Sequence, residues 1–244
     1  MGSTIVVAVA IGIASLFYAT VGQAGGTAFL AVMTLAASPA SEMRPTALLL
    51  NILVGGYSTW RMQRANVVDW SLFANLALPA IPAAFLGGLI VLGGRLYLSF
   101  TGLLLVAAAI ILTVKGAGKH AGEQRAGVSP VTSLIGAGAG LLSGLSGVGG
   151  GVFVAPLLIT LGLASARRTA GVSAPFILAN SVVGYVGTFL AGQRVTSEVG
   201  WYAAAAMLGS IAGTTIGLRW MSDRSTRFVL AAILLFGGVR LLSR

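Results

Sequence analysis

A long hydrophobic segment near the amino terminus is interrupted by Gly22-Gln-Ala-Gly-Gly-Thr-Ala-Phe29, and a later one is interrupted by Ser146-Gly-Val-Gly-Gly-Gly-Val-Phe153. Both interruptions fall where an apolar run would otherwise form a simple membrane helix. In a bilayer, a broken helix leaves backbone N–H and C=O groups that must find partners in protein or in a hydrated cavity. The two stretches therefore predict paired helix breaks at a place where the protein handles a solute.

The composition places the chain among membrane proteins. Of its 244 residues, 57% are hydrophobic and only 8% are charged, and the mean hydropathy is +0.96. A chain with so few polar residues does not cover a water-soluble surface. The sequence predicts an all-α fold, a polytopic bundle of membrane helices in contact with the lipid bilayer.

The charged and metal-binding residues exclude several function classes. The formal net charge of +10 comes from 15 Lys and Arg residues that stand singly or in pairs at the ends of apolar segments. A nucleic-acid-binding protein would gather them into a basic stripe instead. The chain has no Cys, and its single His120 lies in a polar stretch. We expect no nucleic-acid partner, no metal and no cofactor.

Apolar stretches near the roughly 20 residues that a bilayer requires recur along the chain. They run at about 4–22, 45–62, 71–92, 96–115, 129–147, 169–191, 199–219 and 226–243. Two shorter stretches each follow a glycine cluster and predict half-helices, at 27–38 and 151–163.

The two halves of the chain carry the same features in the same order. Each has a long helix, a glycine break, a half-helix, and then a helix with an Asn followed by Gly four residues later, at Asn51 and at Asn180. This order indicates an internal duplication. The sequence predicts a first repeat at 1–115, a polar linker at 116–128 and a second repeat at 129–244.

The distribution of basic residues predicts how the repeats are oriented. Five crossings per half place ten Lys and Arg residues on one side of the membrane and five, including Arg44, on the other. Four crossings per half divide the same residues eight against seven. The positive-inside rule favours five crossings, which turn the second half over. We therefore predict inverted repeats, with the linker cytoplasmic and both termini outside.

The glycine clusters provide a candidate binding site for a small anion. The amino-terminal ends of half-helices direct partial positive charge and unpaired N–H groups toward anions. The candidate substrate-binding residues are Gln23, Gly25, Gly26, Thr27, Asn51, Ser146, Gly149, Gly150, Gly151, Ser173 and Asn180. The alternative is that the glycines only allow tight helix packing and the two Asn side chains join helices by hydrogen bonds.

Two further sets of glycines, each spaced four residues apart, are assigned to helix packing. They are Gly136, Gly140 and Gly144, and Gly209, Gly213 and Gly217.

The acidic residues bear on the transport mechanism. All five fall in predicted connections, so the sequence places no carboxylate at membrane depth to relay protons. An anion site without a buried acid suits a uniporter or a channel-like exporter. An inside-negative potential favours expulsion of an anion by about 2.3 kcal/mol per charge per 100 mV.

The duplicated pattern resembles the sulfite exporter TauE/SafE family of membrane permeases. The resemblance rests on the glycine break followed by Phe and a short helix, then Arg-x-Thr-Ala, then an Asn-containing helix, and it covers nearly the whole chain. The second copy, Gly144-Leu-Ser-Gly-Val-Gly-Gly-Gly151, is the more specific one. The resemblance implies a multi-pass protein of the bacterial inner membrane that moves sulfur-containing oxyanions or organosulfonates.

The leading hypothesis is an exporter or permease of small anions, sulfite or related compounds, bound between the two repeats. The alternatives are a transporter of another small organic anion and a membrane scaffold that transports nothing. An intramembrane enzyme is not favoured, because the sequence offers no catalytic residues at membrane depth. The sequence leaves the oligomeric state open.

Overall fold

The computed structural model describes residues 2–92 and 129–220, together with isolated helical positions between 96 and 110 and between 232 and 239. The described residues form helices joined by short turns, with no strand among them, as the sequence predicts. The helices of the first half are α1 (Gly2–Thr20), α2 (Gly26–Leu35), α3 (Ala40–Arg64) and α4 (Trp70–Leu89). Those of the second half are α5 (Pro130–Ser146), α6 (Gly151–Thr160), α7 (Ala166–Leu190) and α8 (Val199–Trp220).

Both half-helices form next to the glycine clusters. Each has 10 residues, and α2 and α6 begin directly after Gly25 and Gly150. The predicted breaks and half-helices are therefore confirmed. The predicted segments at 96–115 and 226–243 and the linker at 116–128 lie largely or wholly outside the described residues.

The third helix of each half begins earlier than the apolar pattern predicts. Helix α3 begins at Ala40 instead of 45, and α7 begins at Ala166 instead of 169. The hydroxyl of Ser165 caps α7 by accepting a hydrogen bond of 3.2 Å from the amide of Arg168. A charged first turn hid both helix starts from a pattern based on hydrophobicity.

Helices of the two halves pack against each other in a reciprocal way. The first helix of the second half, α5, packs on α4, and the first helix of the first half, α1, packs on α8. The two third helices, α3 and α7, pack on one another. Two copies related by a two-fold axis would produce this exchange. The duplication itself and the inverted orientation of its copies stay predictions.

The two sets of glycines spaced four residues apart are confirmed as packing surfaces. A Cβ on Gly136, Gly140 or Gly144 would overlap a backbone carbonyl oxygen of α4, and one on Gly209, Gly213 or Gly217 would overlap one of α1. Small residues allow membrane helices to approach backbone to backbone. In both interfaces the glycines lie on the helix from the second half of the chain. They lie on its first helix, α5, in one interface and on its fourth helix, α8, in the other, so the two interfaces are built differently.

The surface of the bundle is apolar and its interior holds many polar side chains. Ile5, Val9, Ile13 and Phe17 of α1 are each more than half exposed, whereas Ser15 of the same helix is fully buried. By length and composition, α4, α7 and α8 are long and apolar enough to cross a bilayer. This distribution fits a helical protein that is surrounded by lipid.

Candidate functional site

The two glycine breaks lie against each other in the interior of the bundle. A Cβ on Gly26, at the start of α2, would lie 2.6 Å from the carbonyl oxygen of Val148 in the second break. A Cβ on Gly151, at the start of α6, would lie 2.8 Å from Oε1 of Gln23 in the first break. We call this meeting place the break junction, formed by residues 22–26 and 147–151.

Both half-helices start without a side-chain cap. The residues before them, Gly25 and Gly150, have φ of 111° and 79°, in the left-handed region that favours glycine. Neither position provides a side-chain acceptor for the first amides of its helix. The first turn of a helix has no intrahelical partner for these N–H groups, which makes the start of a helix suitable for binding anions.

Asn51 brings the middle of α3 to the break junction. Its side chain is fully buried, and Nδ2 donates a hydrogen bond of 3.3 Å to the carbonyl oxygen of Gly147. The same nitrogen lies 2.6 Å from the position of a Cβ on Gly26 and 2.9 Å from that of a Cβ on Gly149. An amide of the first half therefore lies between the two breaks.

Polar atoms around the break junction are buried and lack hydrogen-bond partners among the described residues. They include both side-chain atoms of Gln23, which is 1% exposed, and Oδ1 of Asn51. The hydroxyl of Ser181, on α7, is also among them and lies 3.3 Å from the position of a Cβ on Gly149. Each buried polar group without a partner costs about 1–3 kcal/mol, which suggests a functional reason for keeping it.

The remaining predicted side chains make local hydrogen bonds. Thr27 bonds through its hydroxyl to the hydroxyl of Tyr18, and Ser146 donates to the carbonyl oxygen of Leu142 over 2.6 Å. Ser173 and Asn180 donate to carbonyls of their own helix, over 2.8 and 2.9 Å. All four are buried, but no described contact joins Ser173 or Asn180 to the break junction.

The sequence did not single out Ser181 or Ser143, which the structure places beside the breaks. Ser143 Cβ lies 3.2 Å from the position of a Cβ on Gly150, and its hydroxyl is buried without a described partner. Ser181 directly follows Asn180, so its place in the repeated Asn helix was the signal available in the sequence.

Arg44, counted in the sequence as a flanking charge, is buried beside the second break. It is 1% exposed, and its guanidinium donates to the carbonyl oxygens of Ile90 (2.6 Å), Gly87 (3.2 Å) and Gly88. These carbonyls form the negative end of α4, where a cation is favourable. The Arg44 side chain also packs against Gly147. Arg44 thus fixes the end of α4 relative to the second break.

The start of α7 lies at the arginine-rich end of the bundle, which holds Arg61, Arg64, Arg167, Arg168 and Arg219. Arg167 lines a cavity of about 40 Å³, together with residues from the ends of α1, α3 and α8. Ala170 also lines this cavity, and its carbonyl oxygen packs against Gly22 of the first break. The cavity therefore lies between the basic end and the break junction.

Next to this cavity, an ion pair joins the two halves of the chain. The Nε of Arg168 donates a hydrogen bond of 2.6 Å to Oδ2 of Asp69, which also caps α4 by accepting from the amide of Leu72. Partial burial acts to raise the pKa of Asp69, but the Leu72 amide and the Arg168 guanidinium outweigh it, and the pKa lies below its ordinary value.

The described acids lie at helix starts. Asp69 and Glu198 precede α4 and α8, and Glu42 lies in the first turn of α3. Among the described residues, no group of three or more His, Cys, Asp or Glu could hold a metal ion. No described acid therefore lies in the break junction, whose amides, hydroxyls and backbone have the Arg44 side chain packed against them at Gly147.

Comparison with known proteins agrees with this architecture. A family model described as sulfite exporter TauE/SafE matches residues 7–241. The chain belongs to the TauE/SafE family. It is 32% identical over 238 residues to the probable membrane transporter protein y4hK of Sinorhizobium fredii (strain NBRC 101917 / NGR234), with 96% of each chain covered. This TauE/SafE chain is therefore a membrane transporter and not an enzyme, and the alternative of a scaffold is set aside.

Two other relatives are longer proteins, and this chain matches only part of each. The probable membrane transporter protein MamO of Paramagnetospirillum magneticum (strain ATCC 700264 / AMB-1) is 26% identical, over 73% of this chain and 34% of its own length. The sulfite exporter TauE/SafE family protein 2 of Arabidopsis thaliana is 29% identical, over 44% of this chain and 22% of its own length. No solved structure matches the chain.

Proposed function

We propose that this transporter exports a small anion, sulfite or a related sulfur oxyanion or organosulfonate, across the bacterial inner membrane. The observation that carries the proposal is the break junction, where two uncapped half-helix starts lie beside the buried side chain of Gln23, which has no described partner, and the unpartnered Oδ1 of Asn51. The amides of the first turns bind the charged oxygens of the anion, because N–H donors and the helix dipole both favour negative charge there.

The residues proposed to bind the anion fall into two groups. The backbone at Gly25, Gly26, Gly149, Gly150 and Gly151 supplies donors, and Gln23, Asn51 and Ser181 supply side-chain contacts. Thr27 and Ser146 support the two breaks through their local hydrogen bonds. The roles of Ser173 and Asn180 stay predictions.

The route into the site begins at the arginine-rich end. Arg167 and the cavity of about 40 Å³ lie on the path from that end toward Gly22 and the break junction. Positive charge at the entry raises the local concentration of anions. With an inside-negative membrane potential, export of a monoanion is downhill, so the proposed mechanism requires no coupling ion.

The test is transport by the purified protein in liposomes. Vesicles are loaded with sulfite, and a potassium gradient with valinomycin sets an inside-negative potential. We expect efflux that rises with the potential and requires the protein. Transport of cations alone, or thermal stabilisation of the protein by cations alone, would contradict the proposal.

A second candidate is a transporter of another small organic anion. The observation that favours it is that the amides, hydroxyls and backbone of the break junction recognise charged oxygens without selecting for sulfur. Thermal stabilisation across sulfite, sulfate, thiosulfate, sulfonates and carboxylates separates the two candidates. A response confined to carboxylates would support the second and overturn the first.

A further inference from the structure

We propose that the anion bound at the break junction must carry its own N–H or O–H hydrogen-bond donor in addition to its negative charge. This inference rests on the proposed function and narrows its substrate class. It predicts a preference for protonated, hydroxyl-bearing or amino-bearing monoanions over anions that have acceptors alone.

The orientation of Asn51 is fixed by its hydrogen bond to Gly147. A backbone carbonyl oxygen only accepts hydrogen bonds, so the NH₂ group of Asn51 must face it, and Oδ1 is the atom left to accept from another group. That oxygen is buried and has no partner in the part of the chain that the structure describes. Asn51 therefore presents an acceptor that only a donor can satisfy.

Gln23 adds a second oxygen of the same kind. Both Nε2 and Oε1 of Gln23 are buried without a described partner, so either orientation of the amide leaves one oxygen and one NH₂ group unpaired. This side chain lies against Gly151, at the start of α6. The first turn of α6 and the NH₂ group of Gln23 donate to the ligand, whereas the side-chain oxygens of Gln23 and Asn51 each require a donor from it.

A ligand with acceptors alone satisfies only part of this site. It receives hydrogen bonds from the helix starts, but its lone pairs face the oxygens of Gln23 and Asn51, which stay unpaired. Each unpaired buried group costs about 1–3 kcal/mol. Sites built to bond a substrate hydroxyl or amine reject analogues that lack it for this reason. The Ser181 hydroxyl donates or accepts and does not discriminate.

The test compares anions that differ only in a donor. The pair 2-hydroxyethanesulfonate and 1-propanesulfonate, and the pair glycolate and propanoate, each exchange one hydroxyl for a methyl group at constant charge. Binding to the purified full-length protein is measured by calorimetry, with sulfite as a reference ligand. In whichever pair binds, we expect the hydroxylated anion to bind at least tenfold more tightly.

Equal binding within a pair, or tighter binding of the methyl compound, overturns the inference and leaves the proposed function standing. If neither pair nor sulfite binds, the proposed function itself fails. These outcomes use the unmodified protein, so they do not depend on the folding of a variant.

A variant localises the effect. Asn51→Leu is expected to reduce the ratio of the two affinities toward one, since it removes the acceptor. The matched control is Gln193→Leu, because Gln193 is also a buried amide with an unpartnered Oε1 but lies after α7, outside the break junction. The control is expected to keep the wild-type ratio. An unchanged ratio in a folded Asn51→Leu protein would contradict the assignment.

Discussion

Oε1 of Gln23, in the break of the first half, lies 2.8 Å from the position that a Cβ on Gly151 would occupy at the start of the half-helix of the second half. A Cβ on Gly151 would also lie 2.6 Å from Cδ1 of Ile177. The start of α6 therefore has no space for a side chain, and an amide from the other half of the chain lies against it.

Replacing Gly151 with Ala is expected to impair transport. Overpacking of this kind costs about 1–3 kcal/mol, which corresponds to a loss of about 5- to 150-fold if it falls on the bound state. Anion efflux from proteoliposomes measures the effect. The matched control is Gly200→Ala, near the start of α8, where a Cβ meets nothing within 4 Å. Equal transport by the two variants would show that Gly151 does not shape the site.

Replacing Gln23 with Leu is expected to abolish transport without lowering stability. The change removes two buried polar atoms that have no described partner, and apolar replacement of such groups is neutral or stabilising. Thermal unfolding in detergent and efflux are measured on the same preparation. Gln193→Leu serves as the control, with a similar effect on stability and full transport. A Gln23→Leu protein that transports normally would remove Gln23 from the site.

Replacing Gly140 with Ala is expected to destabilise the bundle, because its Cβ would overlap the carbonyl oxygen of Ala80 on α4. We expect a loss of about 1–3 kcal/mol. Gly138→Ala is the control on the same helix, since its Cβ would meet nothing within 4 Å and Ala is the better helix former by about 1 kcal/mol. Thermal unfolding in detergent should rank Gly138→Ala at or above the wild type and Gly140→Ala below it.

The pair of Asp69 and Arg168 is expected to make stability depend on pH. The folded-state pKa of Asp69 lies below its ordinary value, so its stabilisation is present above the unfolded pKa of about 3.9 and is lost as the pH falls through the folded pKa. Asp69→Asn keeps a capping side chain and removes the charge. We expect the substitution to lower the free energy of unfolding by about 0.5–1 kcal/mol at pH 7 and to have no effect at a pH where Asp69 is protonated. A difference that persists at acid pH would indicate a role other than the charge.

The orientation of the chain is tested through its lack of cysteine. The sequence contains no Cys, so a single Lys119→Cys variant places one thiol in the polar linker. The excess of basic residues on the linker side predicts a cytoplasmic location. A membrane-impermeant maleimide should label the variant in inverted vesicles and not in intact cells. Labelling of intact cells would overturn the predicted topology.

The sequence by itself determined the class of the protein and the local structure of its breaks. Hydrophobic content identified a membrane bundle, and the glycine clusters located α2 and α6 to within a few residues. Apolarity and backbone freedom are properties of short segments, so they can be read without knowing what packs against them. The first turns of α3 and α7 could not be predicted in this way, because they carry charged residues and do not belong to an apolar run.

Only the tertiary structure decided which residues meet. Asn51 bonds to Gly147, 96 residues away, while Asn180, at the matching place in the predicted second repeat, bonds within its own helix. Arg44 lies buried against the end of α4, whereas Arg167 lines a cavity near the arginine-rich end. The sequence presents each of these as one Asn or one Arg among similar ones. Packing between the halves decides which partner each side chain meets, because residues so far apart in the sequence come together only when α3 and α7 pack against each other.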